Sequence, residues 1–457
     1  MRGCILHGGP GRTLLFTWPR ANLTGMWMRQ VFASLPITGC LALAMAPACG
    51  ASDPHGLGAG STPDSGGTGV ILPDAEAFSD AAPAPIGAIT GKVVAPEGTI
   101  PIAGALVYLT RNEPGPLPTR VYCDKCVRVD SHAFTYSAPD GSFRLPVHAE
   151  GAQFIVTQKG QFRRVRRVDV ARGDQRVNAD DTRLPGRNDA VNGDTIPKMK
   201  VMMANWDAIA NSLRKLGVVE FDAPPPVTFP PTFPPTIPPP DNTLTDANLL
   251  GNYHIVFIPC SGSSAGEPGA SVACTWIYAP TGEGKRIMKE FIKAGGKLYV
   301  TDWSYEYVNQ TWPGFVQFQS QGGTGIGSAC TVGAYSGAAR WDDPSLGQWM
   351  SAIGEGNAQL EKSYVRIEST RAQQGVDEEG RAATITPKVW ASSVVDGNPR
   401  IATVSFQDGC GRVLYSTYHA EGTDSGGSNT LLAQEKALFH ILLEVATCVG
   451  IKPEPPR

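Results

Sequence analysis

Near Ile196 the chain changes rhythm, and that change limits the possible folds more than any other feature. Before it, short runs alternate apolar and polar residues between turn signals. They are Ile89 to Val94, Ala105 to Leu109, Phe134 to Ser137 leading into Pro139-Asp140-Gly141, Ser142 to Leu145, Phe154 to Thr157, and Val165 to Val170. A period of two belongs to half-buried strands, so this stretch predicts an all-β module. After Ile196, strand-like runs are followed by apolar residues at helical spacing. Lys198 to Met203 precedes Trp206, Ile209, Ala210, Leu213 and Leu216, and Gly217 stops the helix. Tyr253 to Pro259 is a buried strand running into Cys260, and Ile287, Phe291 and Ile292 mark a helix ended by Gly295-Gly296 before the strand Lys297 to Thr301. Further strands are expected at Tyr364 to Ile367 and Lys388 to Ala391. A hairpin, Ile401–Phe406 with Val413–Tyr418, should turn at Asp408-Gly409, and a last helix buries Leu431, Leu432, Leu438, Phe439, Leu442 and Leu443. Such alternation predicts a mainly parallel sheet covered on both faces.

The segments around these two parts carry other information. Val31 to Ala48 is an apolar run without a charge behind Met28-Arg29, and it ends in Ala46-Pro47-Ala48-Cys49-Gly50. It resembles a lipoprotein signal peptide, whose cysteine thiol is acylated and becomes the new N-terminus. Cys49 is the expected lipidation site; Cys40, in Ile37-Thr38-Gly39-Cys40, is the alternative, and Met26 and Met28 are alternative starts. That resemblance implies an exported protein held at a lipid membrane in the cell envelope. The expected layout is a signal segment at 1–49, a Gly/Ser/Ala/Pro tether at 50–85, the β module at 86–171 and a polar linker at 172–195. An α/β domain follows at 196–450, with a stiff polyproline insertion at 224–240 and a tail at 451–457. A formal charge of −3 on 457 residues, with 39 basic and 42 acidic side chains, gives no footprint for nucleic acid.

Seven of the ten cysteines follow Cys49. Outside the cytoplasm their default fate is pairing, and an odd number leaves at least one over. Cys260 and Cys274 bracket a polar loop, and Cys123-x-x-Cys126 lies between strand-like flanks, so each is expected to close on its neighbour. A strand from Cys410 to Tyr418 advances roughly 25 Å. A helix from Asn429 to Cys448 returns roughly 28 Å. Antiparallel packing of the two would pair Cys410 with Cys448, leaving Cys330 without an assigned partner.

Two resemblances follow from motif order. Gly91-Lys92-Val93, Ile102 to Val107 and Asp140-Gly141-Ser142-Phe143 resemble the carboxypeptidase regulatory-like β-sandwich, a non-catalytic module. Tyr253 to Phe257, Ala294 to Val300 and Gly411 to Glu421 resemble the class I glutamine amidotransferase-like fold, flavodoxin-like in its layers, and its trehalose-utilisation relatives. In that family a nucleophilic cysteine stands on a sharp turn after a central strand, and a His-x-Glu pair follows a late one. His419 and Glu421 match the pair; the turn reads Asp302-Trp303-Ser304-Tyr305-Glu306, with neither cysteine nor glycine. The resemblance therefore implies a non-catalytic binding or structural role. One alternative is a degenerate hydrolase with Ser304 as nucleophile, His419 as base and Glu421 as orienting carboxylate. Another is a metal-dependent adhesion module using Asp302, Ser304 and Glu306.

No cofactor fingerprint or zinc motif is present. Trp303, Tyr305, Tyr307 and Trp312 could pack as core or stack on an envelope carbohydrate; a protein ligand is the other partner class. Arg163, Arg164, Arg166 and Arg167 read as a solvated edge strand.

Overall fold

The computed structural model describes residues 84–124, 127–129, 132–204, 206–224, 241–261, 280–320, 326–330, 334–421, 430–443 and 449–451. The expected signal segment with Cys49, the tether before Ala84, the proline tract after Pro224, Cys126, Cys274, Cys448 and the tail after Ile451 lie outside them.

The β-rich part holds two sheets. One orders the strands Ser142–Val147, Gly87–Lys92 and Gly173–Arg176; the other orders Phe134–Tyr136, Leu106–Thr110, Gly151–Lys159, Phe162–Val170 and Asp194–Thr195. Pairing is antiparallel except between Gly87–Lys92 and Gly173–Arg176. Ile89, Leu145 and Val147 from the first sheet meet Val107, Leu109, Ile155 and Phe162 from the second in one apolar cluster. Alternation along each strand puts these side chains on the facing sides.

The expected linker at 172–195 is structure instead. Gly173–Arg176 and Asp194–Thr195 each add a strand, Asn178 caps the short helix Ala179–Thr182, and Leu184 is buried in the shared cluster. The polar residues that suggested a linker serve as caps and ion-pair partners. Asp194 takes Arg164 Nε and Nη2 at 2.9 and 2.7 Å, and Arg166 Nη1 at 2.9 Å. Arg163 is buried too, its guanidinium donating to the Gly115 carbonyl at 2.7 Å. Arg163 and Arg164 are thus part of the packing, and the solvated-edge expectation fails for them because Asp194–Thr195 pairs with the strand there; Arg167 stays exposed, as expected.

The second part is an eight-stranded sheet in the order Met199–Val201, Ile255–Ile258, Lys297–Thr301, Gly411–Ser416, Asn398–Asp408, Lys388–Val395, Tyr335–Trp341, Gln359–Ser363. The first four are mutually parallel and the rest antiparallel. The expectation of a mainly parallel sheet is therefore half right. The tight turn at Gly409 makes Asn398–Asp408 antiparallel to Gly411–Ser416, and the strands beyond inherit that sense. Burial alternates as a sheet covered on both faces requires. Val201, Phe257, Tyr299 and Leu414 join the cluster that also holds the β-rich part, whereas Ile258, Val300 and Tyr415 pack under the helix Gly282–Lys293. That helix is capped by Thr281, whose hydroxyl accepts Gly284 N–H, and buries Ile287, Met288, Phe291 and Ile292. Residues Phe78–Arg457 form one compact unit. Trp349 Nε1 donates to the Pro101 carbonyl at 2.8 Å, a direct bond between the two parts.

Cys123 bonds Cys410, with Cα atoms 5.2 Å apart, so neither the Cys123–Cys126 nor the Cys410–Cys448 pairing holds. The helix Ala433–Leu443 packs beside Gln359–Ser363 and the helix Pro344–Ala352 rather than back along Gly411–Ser416, which removes the premise of the distance estimate. Instead the segment Tyr122-Cys123 crosses Gly295, next to the Cys410 turn. Cys410 N–H donates to the Lys293 carbonyl there at 3.3 Å. Cys330 is disulfide-bonded as well.

Gly295 makes this crossing possible. Its φ is +108°, and a Cβ would stand 1.9 Å from the Tyr122 carbonyl oxygen. Gly295→Ala should lower the unfolding free energy by about 3 kcal/mol, from left-handed strain plus overpacking. Urea denaturation checks this; an unchanged midpoint would place Tyr122 elsewhere.

Candidate functional site

Four parallel strands end at the same edge of the sheet, and each delivers a polar side chain there. Open α/β sheets place ligands beyond such ends.

Ile255–Ile258 is buried at every position, and Pro259 ends its ladder by lacking an N–H. Cys260 follows, 1% exposed, its N–H donating to Thr301 Oγ1 at 2.8 Å. Lys297–Thr301, also wholly buried, runs into Asp302 with φ +42°. A left-handed non-glycine residue costs about 1 kcal/mol, least for Asp and Asn. The chain then winds through the 3-10 turn Asp302–Tyr305 into the helix Glu306–Thr311. Tyr415 Oη holds the bend by donating to the Asp302 carbonyl at 3.0 Å. The missing glycines suggested that no strained elbow could form here. It does form, and Asp302 occupies its apex.

His419 follows Gly411–Ser416, and its Nε2 lies 3.1 Å from Asp302 Oδ2. The Cys260 sulfur completes the group: one ligand atom each from Cys260, Asp302 and His419 lie within 4.8 Å of one another. Asp302 Oδ1 accepts Tyr364 N–H at 3.2 Å, and the Tyr364 ring stacks on His419 with centroids 5.5 Å apart. Asp302 Oδ2 and His419 Nε2 are buried and close, yet neither completes an aligned hydrogen bond.

Asp207, between Met199–Val201 and the helix Ile209–Lys215, binds this edge together. Its Oδ2 accepts Thr301 Oγ1 at 2.7 Å and Ala420 N–H at 3.1 Å, and its Oδ1 accepts Glu421 N–H at 3.2 Å. Burial raises its pKa despite these donors.

Burial likewise raises the Asp302 carboxyl to about 6, against the opposing pull of His419. Burial pushes the Cys260 thiol up to about 11, offset in part by His419. For His419 burial disfavours the cation, but Cys260 and Asp302 outweigh it and hold the pKa well above the ordinary imidazole value. Burial thus favours the neutral thiol, while the facing acidic groups favour the imidazolium.

The residues singled out in the sequence separate here. His419 is at the centre, but Glu421 is not its orienting carboxylate. Glu421 Oε1 lies 3.2 Å from Lys215 Nζ, which also meets Glu435 at 2.8 Å; Asp302 faces the imidazole instead. Ser304 is no nucleophile for His419, because its hydroxyl donates to the Pro259 carbonyl at 2.7 Å. Glu306 accepts Asn309 Nδ2 at 3.1 Å and Gly327 N–H at 3.0 Å, so Asp302, Ser304 and Glu306 are turned to separate partners, against the adhesion pattern. Trp303, Tyr305, Tyr307 and Trp312 are buried in the core, which removes the sugar-stacking option. Cys260 is a free thiol, so its pairing with Cys274 does not occur. Sequence reasoning missed Asp207 and the role of Cys260. The signal for Cys260 was its position directly after an all-apolar strand, as Asp302 follows Thr301.

The sequence matches no protein-family model and no curated protein. Solved structures similar to it include a ThuA-like protein from Bacteroides uniformis (10% identity, TM-score 0.29, covering 53% of this chain and 89% of that one). PurLQS from Thermotoga maritima is similar at 14% identity and TM-score 0.29, over 54% of this chain and 97% of that one. A GH42 β-galactosidase from G. stearothermophilus is similar at 12% identity and TM-score 0.29; the match covers 56% of this chain but only 31% of the galactosidase. At these scores the likeness is slight, and the chemistry rests on the residues.

His254 offers an internal contrast. Its Nδ1 accepts Lys198 N–H at 2.8 Å, and burial lowers its pKa. In a ring-resolved NMR titration, His254 should change charge below the ordinary imidazole value and His419 above it. Asp302→Asn should bring the His419 midpoint down, since it removes the facing negative charge. A His419 midpoint at or below the ordinary value would mean that the three groups do not meet.

Proposed function

We propose that this chain is an exported, lipid-anchored protein of the cell envelope. On this reading its β-rich part is a carboxypeptidase regulatory-like sandwich. Its α/β part uses the class I glutamine amidotransferase-like, flavodoxin-like arrangement to bind an envelope ligand rather than to release ammonia.

The observation that carries the binding reading is Asp302 at the apex of the strand-to-helix elbow. A carboxylate there cannot form the thioester that a cysteine nucleophile forms. The ordered motifs after Ile196 and the four parallel strands support the fold assignment. The Cys123–Cys410 disulfide supports an oxidising compartment, where such bonds persist.

A second reading has one observation in its favour: Cys260, His419 and Asp302 stand together as a thiol, a base and a carboxylate. It needs a thiolate. Burial pushes the Cys260 thiol up to about 11, so the sulfur keeps its proton at neutral pH. The pair is poised against nucleophilic attack, so binding is the stronger reading.

Wild-type protein should release no glutamate from glutamine and hydrolyse aryl thioesters no faster than buffer. Turnover that Cys260→Ser abolishes would replace the binding role with a hydrolase. For the anchor, palmitate labelling in the producing bacterium should mark wild type and not Cys49→Ala. Undiminished label in Cys49→Ala would move the acylation site elsewhere, Cys40 first.

A further inference from the structure

The binding reading leaves open what the buried edge holds. We infer that Cys260, Asp302 and His419 form a three-ligand site for a thiolate-compatible divalent transition metal ion of the zinc class. This rests on the binding reading and names a ligand for that same edge.

The first ground is the donor set. One sulfur, one imidazole nitrogen and one carboxylate oxygen, drawn from the ends of three adjacent parallel strands, lie within 4.8 Å of one another. Around a tetrahedral zinc ion with bonds of roughly 2.0–2.3 Å, ligand atoms stand roughly 3.3–3.8 Å apart. The group needs only small side-chain rotations to close on an ion. A sulfur ligand selects zinc and its soft neighbours over magnesium or calcium, which take oxygen.

The second ground is what these atoms lack. Asp302 is fully buried and His419 is 6% exposed, and Asp302 Oδ2 and His419 Nε2 face each other at 3.1 Å without completing an aligned hydrogen bond. A cation seated between these two atoms and the free Cys260 thiol would engage all three at once.

The third ground is the support behind each ligand. Tyr364 N–H occupies Asp302 Oδ1 and leaves Oδ2 to the centre, and the Tyr364 ring stacks on the His419 ring. Thr301 holds the Cys260 backbone, and Asp207 holds Thr301 and the segment just after His419. Orienting bonds of this kind accompany metal ligands. The neighbouring polar groups turn elsewhere: Asp207 to three donors, Ser304 to Pro259, and Glu421 through Oε1 to Lys215. Three protein ligands therefore leave a fourth position for water or an exogenous group, the pattern of a zinc site that acts on or senses a ligand. On coordination the thiol and the imidazolium release their protons to solvent.

The test uses the full chain produced with zinc, or with cobalt in its place, because a buried site fills most readily as the chain folds. Elemental analysis should give one metal ion per chain. The cobalt form should show a sulfur-to-cobalt charge-transfer band in the near ultraviolet and intense tetrahedral bands in the visible. Cys260→Ser should erase the charge-transfer band. Asp302→Asn, nearly isosteric, should weaken metal retention against a chelator by about 100-fold or more while circular dichroism stays native. Ser304→Ala, which alters a neighbour that is not a ligand, should leave metal content unchanged. Metal-free folded wild type, or a cobalt spectrum that survives Cys260→Ser, overturns the site. Neither result touches the binding reading, which fails separately on turnover of glutamine or thioester.

Discussion

The Asp207 carboxylate is the fixed point of this molecule's functional edge. Removing a carboxylate from water costs several kcal/mol unless charge-assisted hydrogen bonds replace its hydration. Here the Thr301 hydroxyl and the Ala420 and Glu421 backbone N–H groups do so, and Thr301 in turn accepts the N–H of Cys260. One buried carboxyl group thus ties together the ends of three strands and sets the spacing of Cys260, Asp302 and His419. The network is all-or-none in character, since losing the carboxylate strands several buried donors at once.

That rigidity gives the cluster its electrostatic character. Burial penalises every charge in it, so Asp302, Cys260 and Asp207 all shift toward their neutral forms. His419 alone moves toward its charged form, because two potential anions face it. The outcome is a sulfur that keeps its proton. A cysteine protease reverses that by lowering the thiol pKa. Similar residues in a different arrangement give a resting thiol, which is why the geometry favours a ligand site over a nucleophile.

Much of the frame was legible from periodicity. Ile255–Ile258 is apolar throughout, and Lys297–Thr301 has an apolar centre, because both sheet faces are covered, and the apolar spacing of Gly282–Lys293 marks its buried stripe. His419 was legible through its spacing from Glu421. What failed were inferences from neighbourhood along the chain. Cys123 passes over Cys126 for a partner 287 residues away, because the crossing at Gly295 is a tertiary fact without local signature. Glu421, two residues from His419, turns to Lys215, while Asp302 arrives from another strand. The polar stretch 172–195 reads as linker because caps and buried ion pairs use the same residue types as loops. Nor does composition reveal that Asp302 tolerates the φ an elbow demands.

The account turns on Cys260 being an unpaired thiol held against His419 while Cys123 is tied to Cys410. Peptide mapping of alkylated, non-reduced protein reads both facts in one experiment. Cys260 should resist alkylation in the folded state and be fully alkylated once the unreduced chain is unfolded, and the Cys123 and Cys410 peptides should travel as one. Recovery of Cys260 cross-linked to Cys274 would take the sulfur out of the edge and contradict the site.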